Sequence, residues 1–228
     1  MTLQLTHRSI KSYVLRQGRL TDAQSHALEY YWIDIGINYG VETIKPDRIF
    51  QRTAPLVLDI GSGMGETLVQ LASNHPENNY LAIEVHKPGV GSLIKNAVQR
   101  DLVNIRVINH DVIDVLKHQL PDNALEQVYI FFPDPWPKKR HHKRRLVNPE
   151  FLSLLKPKLK AHARLFLATD WQELAEHMLS VCDQDPGLIN IAGKGHYTPR
   201  PDWRPITKFE NRGIKLEHGV WDMCFCLK

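Results

Sequence analysis

The chain of 228 residues carries 29 Lys+Arg against 25 Asp+Glu, a formal +4, with 43% hydrophobic and 24% charged residues. That balance fits a globular protein of one large or two small domains and excludes disordered, collagenous and coiled-coil chains. No run approaches the length of a membrane span, no signal peptide opens the chain, and Cys182, Cys224 and Cys226 form no CxxC pair, which together point to a reducing cytoplasm and to no metal site.

The first 50 residues show little periodicity beyond a short helix expected over Asp22–Asp34, where Tyr30, Tyr31 and Trp32 cluster. Pro46 and Pro55 bracket a connector. Strand and helix patterns then alternate. Leu56–Ile60 is an apolar run closed by glycines and reads as a buried strand, followed by a helix at Glu66–Ser73. Tyr80–Glu84 and Asn104–Asn109 are the next strands, with helices at Val90–Arg100 and Val112–Lys117. Gln127–Phe132 is a fourth strand, stopped by Pro133. A helix at Pro149–Lys158 starts on a proline and is ended or kinked by Pro157. Ala163–Thr169 is a fifth strand and Trp171–Cys182 a helix; Asn190–Gly193 and Gly219–Leu227 pair as closing antiparallel strands. Such alternation predicts an α/β fold, a doubly wound, mostly parallel seven-stranded sheet with an antiparallel last strand.

The charge is unevenly spread. Residues 138–145 hold six permanent cations and two histidines without one acid, and the first 20 residues hold four cations and no acid. Removing those ten leaves the rest of the chain at −6. A run of this density predicts a solvated loop that meets a polyanion, nucleic acid above all.

Strand one runs into Asp59-Ile60-Gly61-Ser62-Gly63-Met64-Gly65 and then a helix. The dinucleotide fingerprint wants its third glycine at position 66, which is Glu, so a nicotinamide-dependent oxidoreductase is disfavoured. Gly-x-Gly-x-Gly with an acid two residues ahead instead resembles the first motif of class I S-adenosylmethionine (SAM)-dependent methyltransferases. A carboxylate suits a sulfonium cofactor with an amino-acid tail and would repel a pyrophosphate. Glu84 closes strand two, where it can accept both ribose hydroxyls, and Asp111 follows strand three, where that class meets the adenine amino group.

After strand four comes Phe131-Phe132-Pro133-Asp134-Pro135-Trp136-Pro137-Lys138, in which three prolines in five residues stiffen the backbone. Phe132–Trp136, the run Arg140–Arg145 and Thr207-Lys208-Phe209-Glu210 together resemble the bacterial tRNA (guanine-N7-)-methyltransferase family. The resemblance covers about residues 50–228; residues 1–50 would be a basic N-terminal extension, partly disordered, and 51–228 the methyltransferase domain. It implies SAM as cofactor, tRNA as partner and methylation of a variable-loop guanosine at N7 by a monomer or homodimer. The SAM site would be lined by Asp59, Gly61, Gly63, Gly65, Glu84, Asp111 and Asp134, with Asp134 also catalytic. Lys138, Asp170, Thr207, Lys208, Phe209 and Glu210 would contact substrate, and Arg140, His141, His142, Lys143, Arg144 and Arg145 would meet RNA. Asp59 stands where many relatives have Glu, and Pro137 where they often have His. Trp136 is a candidate to stack on the displaced base, and residues 194–213 to cap it. Other readings are a methyltransferase for a small molecule or protein, disfavoured by the cationic run, and a catalytically silent RNA-binding module, disfavoured by the four acids.

Overall fold

The computed structural model describes residues 10–15, 18–206, 210 and 219–228. Helix α1 (Asp22–Tyr30) opens on a capping box, in which Thr21 and Gln24 satisfy each other's backbone N–H groups. A short α2 (Trp32–Ile35) leads into β1 (Gly36–Ile37), and α3 (Pro46–Phe50) precedes the central strands. Then come β2 (Leu56–Ile60), α4 (Glu66–Asn74), β3 (Asn79–Ile83), α5 (Lys87–Val98), β4 (Ile105–Ile108), α6 (Val112–His118) and β5 (Leu125–Phe131). A 3-10 helix at Lys139–Arg144 is followed by α7 (Pro149–Leu155), β6 (Leu159–Thr169), α8 (Gln172–Gln184), β7 (Leu188–Asn190) and β8 (Trp221–Leu227).

The strands form one sheet in the order β1-β4-β3-β2-β5-β6-β8-β7. Six are parallel; β8 runs antiparallel to both β6 and β7. The expected doubly wound sheet is therefore present, with eight strands and not seven among the described residues. The extra one is β1, two residues long, with no apolar run that would mark it. Strand β6 begins four residues earlier than expected because a left-handed residue, His162 at φ 63°, lets the chain bend and resume pairing. Pro157 ends α7 at Leu155 and passes the chain through a single 3-10 turn, Lys156–Lys158.

Each buried strand feeds both faces, since successive side chains point opposite ways. Leu58, Ile60, Val128, Ile130, Leu165 and Leu167 join Phe151, Leu155 and Met178 in one core. Val57, Tyr80, Ala82, Tyr129 and Phe166 join Leu68, Leu71, Leu93 and Ile94 in the other. The second core also takes Ala27 and Ile35, and Gln24 Nε2 of α1 donates to Ser92 Oγ of α5 at 2.9 Å in a buried contact. Residues 21–50 are thus packed into the same body as the strands.

Chain order reverses at β2, with β3 and β4 on one side and β5 and β6 on the other. Open α/β sheets bind ligands outside the carboxyl ends of their strands at such a point. The loops after β2, β3, β4, β5 and β6 all leave from that edge.

Candidate active site and nucleic-acid interface

Asp59 lies in β2 on the side of the second core, two residues from Val57, and is only 7% exposed. Burial there, helped by the nearby Glu84 carboxylate, pushes its carboxyl up to about 7. The chain then turns through Gly61, Gly63 and Gly65, all left-handed at φ 79°, 55° and 77°. Two of these glycines do different work. A side chain at Gly65 would drive into Leu93 of α5 at 2.4 Å, so this glycine serves helix packing. One at Gly63 would meet nothing within 4 Å, so this glycine leaves open space above the loop. Ser62 Oγ is buried beside it with no hydrogen-bond partner among the described residues.

Glu84 follows β3 and is 7% exposed. Its Oε2 accepts from the Gly63 N–H at 2.7 Å and its Oε1 from the His86 N–H at 2.8 Å, so it braces the glycine loop. Burial raises its carboxyl, and the N–H donors pull the other way. Asn109 Nδ2, from the loop after β4, donates to the Glu84 carbonyl at 2.7 Å and ties the next loop in.

Asp111 caps α6, its Oδ1 accepting from the Ile113 N–H at 3.0 Å. Its Oδ2 accepts from Lys11 Nζ at 2.7 Å, although Lys11 is 100 residues away in sequence. Asp111 lines a cavity of about 600 Å³ that also touches Val85, His86, Pro88, Lys11 and Tyr13. That volume suits a nucleoside-sized ligand. Asp59 and Glu84 stand at the neighbouring loop and do not line this cavity. Lys11, Tyr13, Leu15, Gly18 and Leu20 of the N-terminal extension form one wall of the cavity.

The motif after β5 forms a rigid corner. Phe132 and Trp136 are both left-handed, at φ 52° and 48°, and stand two residues either side of the exposed Asp134. For bulky residues this conformation is costly, of order 1–3 kcal/mol each, and is kept only where the surroundings demand it. The surroundings are specific. Phe132 N–H donates to the Ala168 carbonyl of β6 at 2.8 Å. The Trp136 indole N–H donates to the Ser12 carbonyl at 3.0 Å, and the Arg144 guanidinium lies 5.0 Å from its ring centre. Trp136 is thus gripped on an edge and a face.

The cationic run departs from the loop expected of it. Residues 139–144 form the 3-10 helix, started by a His141 N–H bond to the Lys138 carbonyl at 2.7 Å. Lys138, Lys139, Arg140 and Lys143 are exposed. Arg144 turns back to donate to the Lys11 carbonyl at 3.3 Å, and His142 Nε2 lies 3.3 Å from Glu173 Oε1. Arg145 is only 3% exposed, its Nε donating to the Pro135 carbonyl at 3.2 Å and its Nη2 lying 3.2 Å from Glu173 Oε1. The run is therefore divided between outward cations and two arginines, Arg144 and Arg145, turned in against the proline corner. Asp170 follows β6 half-buried. Thr207, Lys208 and Phe209 lie outside the described residues; Glu210, 2% exposed, is held bidentately by Arg204 at 2.7 and 2.8 Å.

Sequence reasoning missed Lys11, Ser12, Asn109 and Asp222 as parts of this edge; Arg204 was expected there as part of the 194–213 cap, and the structure buries it between Glu210 and Asp222.

A family model described as "Putative methyltransferase" matches residues 53–223. A tRNA (guanine-N(7)-)-methyltransferase of Nitrosospira multiformis is 52% identical over 219 residues, covering 96% of this chain and 95% of that protein. One of Shewanella amazonensis is 51% identical over 218 residues, covering 96% and 92%. The chain belongs to this methyltransferase family. Membership agrees with what the corner and the glycine loop hold in common with the family's motifs. Solved structures extend the fold further than sequence does. A 16S rRNA methyltransferase, KamB, aligns with TM-score 0.58 at 13% identity, covering 80% of this chain and 92% of that one. A 30S ribosomal A1408 methyltransferase from an uncultured bacterium aligns with TM-score 0.57 at 11% identity, covering 82% and 96%. At such identities the likeness establishes the sheet and its winding, the class I methyltransferase fold.

Proposed function

We propose that the chain transfers a methyl group from SAM to N7 of a guanosine in the variable loop of tRNA. The observation that carries this reading is the Phe132–Trp136 corner, which sets Asp134 at the carboxyl edge between a carboxylate-braced glycine loop and a cationic helix. The residues suit the cofactor: the open space at Gly63, the orphaned Ser62 hydroxyl and the buried Asp59 offer room, a hydrogen-bonding group and a carboxylate for an amino-acid tail. When bound, SAM supplies an electrophilic methyl on a positively charged sulfur.

Guanine N7 already carries a lone pair, so the protein need not remove a proton before transfer. What the reaction demands is alignment, together with negative charge near a purine that becomes cationic. Asp134 meets the second demand, and the two left-handed residues and three prolines around it meet the first. Glu84 and Asp111 hold the ribose and adenine ends, and Asp170 a further edge of the guanine. Lys138, Lys139, Arg140 and Lys143 meet phosphates. Guanine N7 has to be brought out of the folded RNA first, at a cost of about a few kcal/mol that the cationic contacts offset.

The test is incubation of the protein with methyl-labelled SAM and an unmodified tRNA transcript, then digestion and mapping of the labelled nucleoside. The expected product is 7-methylguanosine in the variable loop. Label in another nucleoside, or on another acceptor in preference to tRNA, would overturn the reading.

A further inference from the structure

Behind the acceptor corner lies a charged cluster in which only Glu210 had an expected role in contacting substrate. Arg204 is fully buried at 0% exposure, in a turn closed by its own N–H bond to the Pro201 carbonyl at 3.0 Å. Its fork is divided between two acids. Nη1 and Nη2 donate to Glu210 at 2.7 and 2.8 Å, while Nε and Nη2 donate to Asp222 of β8 at 2.9 Å each. Arg200 adds a second cation, its Nε 3.1 Å from Glu210 Oε1 and its Nη2 donating to the Arg204 carbonyl. Arg204, Glu210 and Asp222 thus pair out of water, and Arg200 closes the cluster from the solvent side. Removing one member strands the rest, which makes a cluster of this kind sensitive to its geometry.

The guanidinium also faces the rings of Phe131 and Phe132, at 5.6 and 5.7 Å from their centres. Those are the last two residues before Pro133-Asp134. A second line reaches the same place through the sheet. Asp222 is the cross-strand partner of Ala168, and the Ala168 carbonyl accepts the N–H of the strained Phe132. Next to Arg204, Trp203 stacks on Tyr129 at 5.2 Å and meets Phe166 edge-on at 4.9 Å. Arg204 therefore touches the root of the acceptor corner, the segment bearing Glu210, and β8 at once.

We infer that Arg204 is a positioning residue for methyl transfer, setting the aim of Asp134 by clamping Phe131–Phe132 against Glu210 and Asp222. It acts through the corner and does not itself meet the cofactor or the reacting base. Glu210, expected from the resemblance to contact substrate, serves here as the clamp's anchor. This inference rests on the methyltransferase reading.

The test compares Arg204→Lys and Asp222→Asn with the unaltered protein in single-turnover methylation of a tRNA transcript, alongside titrations of SAM and of tRNA. Lysine keeps the charge and loses the fork, so the transfer rate is expected to fall about 30-fold or more, with both affinities held within about threefold. Asp222→Asn leaves the Glu210 contacts intact and loosens only the link to β8, so a drop of about tenfold is expected with the same split. A normal rate in folded Arg204→Lys would overturn the inference. So would a loss of SAM affinity in step with the rate, or failure of both variants to fold, each of which makes the cluster a support for the fold alone. Absence of tRNA methylation by the unaltered protein would sink the methyltransferase reading instead.

Discussion

Two carboxylates on one edge are asked for opposite things. Asp134 is exposed and has to be an anion when the base becomes a cation. Asp134→Asn is expected to lower the transfer rate by about 10²–10³, the usual cost of losing one aimed electrostatic group, with SAM and tRNA affinities unchanged in equilibrium titrations. Asp59 is buried, and its carboxyl, pushed up to about 7, stays protonated in the free protein at mildly acidic pH. A cationic ligand favours its ionised form. SAM affinity should therefore rise from pH 6 to pH 8 and level off above, with protons released on binding, and Asp59→Asn should flatten the profile. Calorimetry in buffers of different ionisation enthalpy reads the proton count. The sign for stability is opposite. The folded protein holds this proton more tightly than the unfolded chain does, so the contribution is full below about pH 4 and declines as pH climbs through 7.

Among elements, the 3-10 helix shows how a run of like charges can serve two purposes. Replacing Arg140 and Lys143 by Ala should weaken tRNA binding and flatten its salt dependence by about 0.7–0.9 log units per lost phosphate contact, while SAM affinity stays level. Arg145→Ala should do otherwise, lowering the melting temperature through the lost grip on Pro135 and Glu173, at about 1–3 kcal/mol. Salt titration of binding and thermal melts of the three variants separate these outcomes. The central strands were legible in the residues because most of their apolar runs end in Gly, Pro or an acid, as Leu56–Ile60 does before its glycines and Gln127–Phe132 does at Pro133. The carboxylates at the strand ends were legible for the same reason, since strand order places them. Arg145 was not, because a cation inside a basic run looks like its neighbours until the fold turns it inward.

Over the whole molecule, what stayed hidden was contact between distant segments. Lys11 reaches Asp111, while Trp136 and Arg144 hold the carbonyls of Ser12 and Lys11, so one short stretch of backbone bridges the cavity and the acceptor corner. Nothing in local pattern reports pairs 100 or more residues apart. The Lys11 ammonium occupies Asp111 where the resemblance expects an adenine amino group, and the two should compete. Lys11 is 40% exposed, so the pair is worth about 0.4–1 kcal/mol. Lys11→Ala is then expected to tighten SAM binding by about two- to fivefold while weakening tRNA binding, a pairing that calorimetry and filter binding can check.

The two-residue strand β1 has an effect out of proportion to its length. It covers the outer margin of β4, pairing Gly36 with Val107 and Ile37 with Ile108. Without it, the apolar Ile105–Ile108 segment would present an open row of N–H and C=O groups to any passing chain. Cutting the protein just before residue 53, where the family model begins to match, would expose that margin and strip Ala27 and Ile35 from the core as well. Such a truncated chain should self-associate into large species that light scattering detects, even though every carboxylate of the cofactor edge is still encoded in it.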